Sequence, residues 1–191
     1  MSLPTYDRSK RRTSFQQLPK GAYVVKILNA VVEHSKNGIG SHIKISFDIA
    51  EGEYAGFYAQ QYKANTNENK EWPYDAVFFV NIPDDNSPEW MRLNYNTFFA
   101  DLEDSNDGFV CTDVKTMKNK VIGGKFRIEQ NTFNGNVYDH TRLCWTCVAD
   151  DVRNGKAGKM PKDKLIDGKQ PMPEGFMSIP DNVEDEGLPF N

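Results

Sequence analysis

The chain has 191 residues, which suits one domain with appendages. At 38% hydrophobic and 12% aromatic it can build a core with Phe and Tyr to spare. No stretch reaches the roughly 18–20 apolar residues that span a bilayer, and no signal-like apolar run opens it, so a cytoplasmic protein without a membrane partner is expected. The net charge of −4 argues against nucleic acid until its distribution is read. Arg8, Lys10, Arg11, Arg12 and Lys20 face only Asp7 in the first twenty residues. The last fifteen carry Asp181, Glu184, Asp185 and Glu186 and no base. A basic start can hold phosphate; an acidic end repels it and must serve something else.

In chain order, residues 1–18 are polar, basic and aperiodic and read as a flexible arm. A first strand is expected over 22–33, with Tyr23, Val25, Ile27 and Val31 on one face. Asn37-Gly38 then supplies a hairpin turn. Residues 42–49 alternate, with Ile43, Ile45, Phe47 and Ile49 inward and His42, Lys44, Ser46 and Asp48 outward. A third strand is predicted over 57–63, and residues 64–87, where Trp72-Pro73-Tyr74 and Val77-Phe78-Phe79-Val80 bring apolar material back, as a loop containing a short extra strand. Ser87-Pro88-Glu89 signals a helix start, a capping hydroxyl followed by Pro and an acid. Met91, Tyr95, Phe98, Phe99 and Leu102 then form one apolar stripe, up to the Ser105–Gly108 stop. A minor helix or turn over 113–118 precedes a fourth strand at 125–132. Asn134-Gly135 turns it into a fifth at 142–149.

Catalytic constellations are missing from this pattern. Cys144 and Cys147 form a CxxC, but three residues apart on a strand they leave opposite faces, so they read as core cysteines, and no metal or cofactor is expected. His34, His42 and His140 never fall at ligand spacing, and Asp48, Glu51 and Glu53 read as solvated acids around a turn. A metal-dependent nuclease built on such acids is the weakest alternative; the chain is not expected to be an enzyme.

Strand-strand-strand-helix-strand-strand is the order of the oligonucleotide-binding barrel, so the expected fold is mainly β. It is a five-stranded barrel over residues 19–166 with the helix between strands three and four, followed by a disordered tail over 167–191. Such a barrel binds single strands with a cationic groove and flat side chains. The candidates are Lys44 on strand two, and Tyr58, Tyr62 and Lys63 on strand three. Lys125 and Arg127 on strand four, with Phe133 and Tyr138 flanking the last hairpin, complete the set.

The terminal Asp185, Glu186, Leu188, Pro189 and Phe190 resemble the C-terminal tip of bacterial and phage single-stranded-DNA-binding proteins. The resemblance implies that the tip docks replication and recombination enzymes, Pro and Phe in an apolar pocket and the acids on a basic rim. Asn191 departs from it, because that family usually ends on the Phe. Residues 98–108, 120–133 with GGKFRIEQ, and 151–165 with VRNGK and PKDKL are similar to a group of phage-encoded proteins, some described as single-stranded-DNA-binding, from replication and recombination gene neighbourhoods. Together these imply a protein that coats single-stranded DNA in the cytoplasm of a bacterial host and recruits partners through its tail, with room for a homo-oligomer. The main alternative is a protein-interaction or inhibitor module that holds a peptide in the same groove.

Overall fold

The computed structural model describes residues 16–35 and 40–166. Most of the basic arm, the Asn37-Gly38 turn and the whole tail, with Asp185, Glu186, Leu188, Pro189 and Phe190, lie outside the described residues.

Five strands form one antiparallel sheet in the order β3-β2-β1-β4-β5. They are β1 Gly21–His34, β2 Ser41–Ile49, β3 Val77–Ile82, β4 Val121–Phe133 and β5 Asn136–Cys147. The helices are α1 Phe57–Ala64, α2 Glu89–Asp104 and α3 Ala149–Arg153. The fold is therefore mainly β, and β3 and β5 are the two edges of an open sheet. Among the described residues, no helix is long and apolar enough to cross a membrane.

The alternation read in β2 is the centre of the core. Ile43, Ile45, Phe47 and Ile49 are all buried, against Val25, Ile27 and Ala30 of β1, Phe126 of β4 and Leu143 of β5. Phe98 and Leu102 bring the α2 stripe into the same core, with Tyr95 and Phe99 packed beside it. Burying each such side chain contributes about 1.5–3 kcal/mol, which is why the period-2 and period-3.6 stripes dictate which face turns inward.

The expected third strand is a helix, and this is the largest correction. Residues 57–64 form α1 because Asp48, expected outward on β2, is buried and caps it from a distance. Asp48 Oδ1 accepts from the Tyr58 backbone N–H at 2.9 Å and from Ile49 N–H at 2.9 Å, and Oδ2 accepts from Ala59 N–H at 3.1 Å. The third strand is β3, inside the stretch expected to be a loop containing a short extra strand. Glu51 is exposed, in line with the solvated reading, and is also ion-paired: Arg153 donates to it from Nε at 3.0 Å and from a terminal guanidinium nitrogen at 2.6 Å. These hydrogen bonds hold the Glu51 carboxyl below its usual range.

Smaller corrections follow the same logic. Leu18, placed in the arm, sits in the core, and Gln17 donates to the Thr141 hydroxyl at 3.1 Å. Leu28 drops out of the β1–β2 ladder between Ile27 and Asn29, a bulge that flips the parity of β1 and turns Val31 outward. Ser87 does not cap α2; its hydroxyl donates to Asp84 Oδ1 at 2.8 Å and closes the preceding turn. Residues 163–166 lie along β4 past the start of β1: Lys164 N–H donates to Ile128 O at 2.8 Å, and Gln130 N–H donates to Lys164 O at 2.9 Å. Of the cysteines, Cys147 is buried, while Cys111 and Cys144 are half-buried, and burial pushes all three thiols up.

Gly123 and Gly124 are required by close packing where β4 meets β5. A Cβ at Gly123 would stand 2.8 Å from the Cys147 carbonyl oxygen, and one at Gly124 2.6 Å from Leu143 Cδ1. Gly123→Ala meets backbone that cannot yield and is expected to cost about 1–3 kcal/mol or more. Gly124→Ala meets a side-chain tip and should cost less. Thermal melts of the two variants check this ranking; equal melting temperatures would refute it.

Candidate nucleic-acid interface

The β1 bulge decides what the outer face of the sheet carries. Beyond Leu28, Asn29, Val31 and Glu33 pair with Ser46, Lys44 and His42 of β2, which pair in turn with Val77, Phe79 and Asn81 of β3. Directly paired residues share a face, and all of these except His42 and Asn81 floor a trough of about 580 Å³ that is also lined by Glu71, Trp72 and Tyr74. Phe79 is partly exposed, with the His42 ring edge-on at 5.2 Å, and Tyr74 is 62% exposed. Two carboxylates belong to the trough. Glu33 accepts from Lys44 Nζ at 3.1 Å, and Glu71 lies on the wall.

Side chains bridge the gap between β3 and β5. The Arg142 guanidinium lies over the Tyr74 ring, 4.0 Å from its centroid, and donates to the Val77 carbonyl at 3.4 Å. His140 Nδ1 meets the Asp75 carboxylate at 3.1 Å. Beyond this seam, β4 and β5 run on as a two-stranded ribbon whose residues 131–139 are all exposed. Asn134 and Gly135 both hold positive φ (50° and 77°), the conformation of a tight hairpin with Asn-Gly at its tip. The ladder pairs Phe133 with Asn136, Asn131 with Tyr138, Glu129 with His140, and Arg127 with Arg142. Phe133 and Tyr138 therefore share the ribbon face that carries Arg142 back to the trough.

The structure sorts the predicted site residues into four places and buries one. Lys44 is in the trough, and Phe133 and Tyr138 are on the ribbon, 67% and 47% exposed. Arg127 is on the ribbon base but donates from Nε to Glu129 at 2.9 Å. Tyr62 and Lys63 are on α1 instead of a strand; Tyr62 packs on Trp72 at 5.6 Å with Lys70 over its ring, and Lys63 is exposed. Lys125 lines a separate cleft beside Trp145. Tyr58 cannot touch DNA: it is 1% exposed, edge-on to Phe47, and its hydroxyl has no partner among the described residues. Burial, with Asp75 and Asp48 nearby, drives its ionisation far above the ordinary range.

Trp72, Tyr74, Phe79 and Arg142 were missed. Phe79 was findable, because Phe78 and Phe79 flanked by valines leave one ring outward in any strand, but the short strand expected within 64–87 was not placed on these residues. Arg142 depends on a contact across the open seam and has no local signal. Among the described residues, no three His, Cys, Asp or Glu side chains are grouped to hold a metal ion. No protein-family model matches the chain. No curated protein matches it either.

Proposed function

We propose that the chain binds single-stranded DNA without sequence preference on an oligonucleotide-binding barrel. The observation that carries this reading is the exposed aromatic path from Phe133 and Tyr138 on the ribbon, past Arg142 and Tyr74, to Phe79 in the trough. In this barrel the face of strands two and three and the loop between strands four and five hold the oligonucleotide. The strand order supports it: β1 lies between β2 and β4, with β3 and β5 outermost, as in such a ring opened at one seam. Arg142 and His140 tie that seam together, and α2 occupies the segment between β3 and β4. The acidic tip then recruits replication or recombination enzymes, in the setting of a phage-infected bacterial cell, as its resemblance to single-stranded-DNA-binding proteins implies.

The ion pairs in the site do not defeat this reading. Lys44 and Glu33 are each about 40% exposed, and such a pair is worth at most about 1 kcal/mol, so a phosphate can displace the carboxylate. Glu33→Gln is accordingly expected to strengthen oligo(dT) binding severalfold at low salt. A second reading draws on the same carboxylates: Glu33 and Glu71 beside Phe79 suit a basic, apolar peptide, and under it Glu33→Gln weakens binding. Fluorescence anisotropy of labelled oligo(dT), duplex DNA and RNA tests the proposal. Salt-sensitive binding of the single strand over the duplex supports it; no binding at low salt sinks it.

A further inference from the structure

We infer that the cleft between α2 and the facing edges of β3 and β5 receives one unstacked base of the bound strand, with Lys125 on the adjoining phosphate. This rests on the single-stranded reading above and extends it to a place the sequence does not suggest.

The cleft measures about 410 Å³, within the roughly 300–1,000 Å³ range of small-ligand sites. Its aromatic content is unusual for a solvent-facing position. Trp90 of α2 is 57% exposed and Trp145 of β5 is 48% exposed, and both line it. Exposed tryptophans gathered at one concavity mark a recognition site, and a flat ring is the occupant they stack on sequence-tolerantly. Asn81, Asn94 and Thr146 also line the cleft, and amide side chains both donate and accept, so they suit the edge of any base.

Charge selects an anionic occupant. Lys125 is the one cation in the lining, makes no ion pair among the described residues, and no carboxylate lines the cleft. Asp101, the acid whose field reaches Lys125, accepts the Thr146 hydroxyl at 2.6 Å, and burial raises its pKa. Phe79 lines both cleft and trough, so a strand crossing that ring passes from one to the other without leaving the surface.

The test uses the full chain, fluorescein-labelled oligo(dT) and tryptophan emission. The protein has three tryptophans, so Trp72→Phe leaves Trp90 and Trp145 as the only emitters. Oligo(dT) is expected to quench this variant. Lys125→Gln is expected to reduce the slope of log affinity against log salt by about 0.7, the share of one phosphate contact on a single strand. Trp90→Ala, at an exposed helix position, is expected to weaken binding about tenfold without moving the melting temperature. If the strand binds by anisotropy while emission of Trp72→Phe stays constant, or while Lys125→Gln keeps the wild-type slope, the cleft assignment falls and the trough reading stands. If wild-type protein shows no anisotropy change at low salt, the wider reading falls instead.

Discussion

Replacing Phe133 and Tyr138 together with alanine should weaken oligo(dT) binding at least thirtyfold and leave the melting temperature within a degree or two of wild type. Each ring is at least 47% exposed, so truncation removes little buried area and opens no cavity. Each is offered instead to an incoming base, and stacking on an aromatic is worth about 1–3 kcal/mol per base. Two platforms therefore account for about 2–6 kcal/mol, and the lower bound is already near thirtyfold at about 1.4 kcal/mol per factor of ten. Because the rings share a face of one ribbon, the singles are not expected to add; the second base stacks more easily once the first is held. Phe133→Tyr should retain most of the affinity, since it keeps the ring. Anisotropy titrations at two salt concentrations, with thermal melts on the same samples, check all four variants. A double variant that binds like wild type would remove the ribbon from the interface.

Asp48→Ala is expected to be the most destabilising single change in the domain. Its carboxylate accepts three backbone N–H groups, and the removal strands donors of Ile49 and Tyr58 in buried surroundings. A buried donor left unpaired costs about 1–3 kcal/mol, more when the lost acceptor was charged. A total of about 3–5 kcal/mol follows, and at roughly 2–4 °C per kcal/mol for a domain of this size the melting temperature should fall by about 6–20 °C. Asp48→Asn keeps one acceptor oxygen but turns an amide N–H₂ toward donors, so it should fall between alanine and wild type. The loss should be visible as early melting of α1, because the first turn of that helix has no side-chain cap of its own. Circular dichroism melts decide the matter. A drop under 2 °C for alanine would mean that water or a shifted helix start satisfies those N–H groups.

The two predictions separate because they act on different levels. Asp48 holds α1 against β2 and so fixes the core around Tyr58, whereas Phe133 and Tyr138 stand clear of the core on a ribbon that few contacts reach. Lowered stability without lowered affinity is expected at Asp48 when binding is measured well below its melting temperature. The reverse is expected on the ribbon.

What could be read from the residues alone was whatever depends on near neighbours in the chain. The inward run of β2, the α2 stripe, the Asn134-Gly135 hairpin and the exposure of Phe133 and Tyr138 all follow from local periodicity and turn chemistry. Tertiary structure alone decided the rest. Residues 57–64 are helical because a carboxylate on another strand caps them, and that contact turned Tyr58 inward and freed 77–82 to be the third strand. The outward turn of Val31 hangs on a one-residue bulge, and the meeting of Arg142 with Tyr74 hangs on two strands at opposite edges of the sheet. Short-range patterns encode which side chains want burial. Which partner satisfies a distant backbone N–H, or which ring an arginine covers, is set by distances that exist only once the chain has folded.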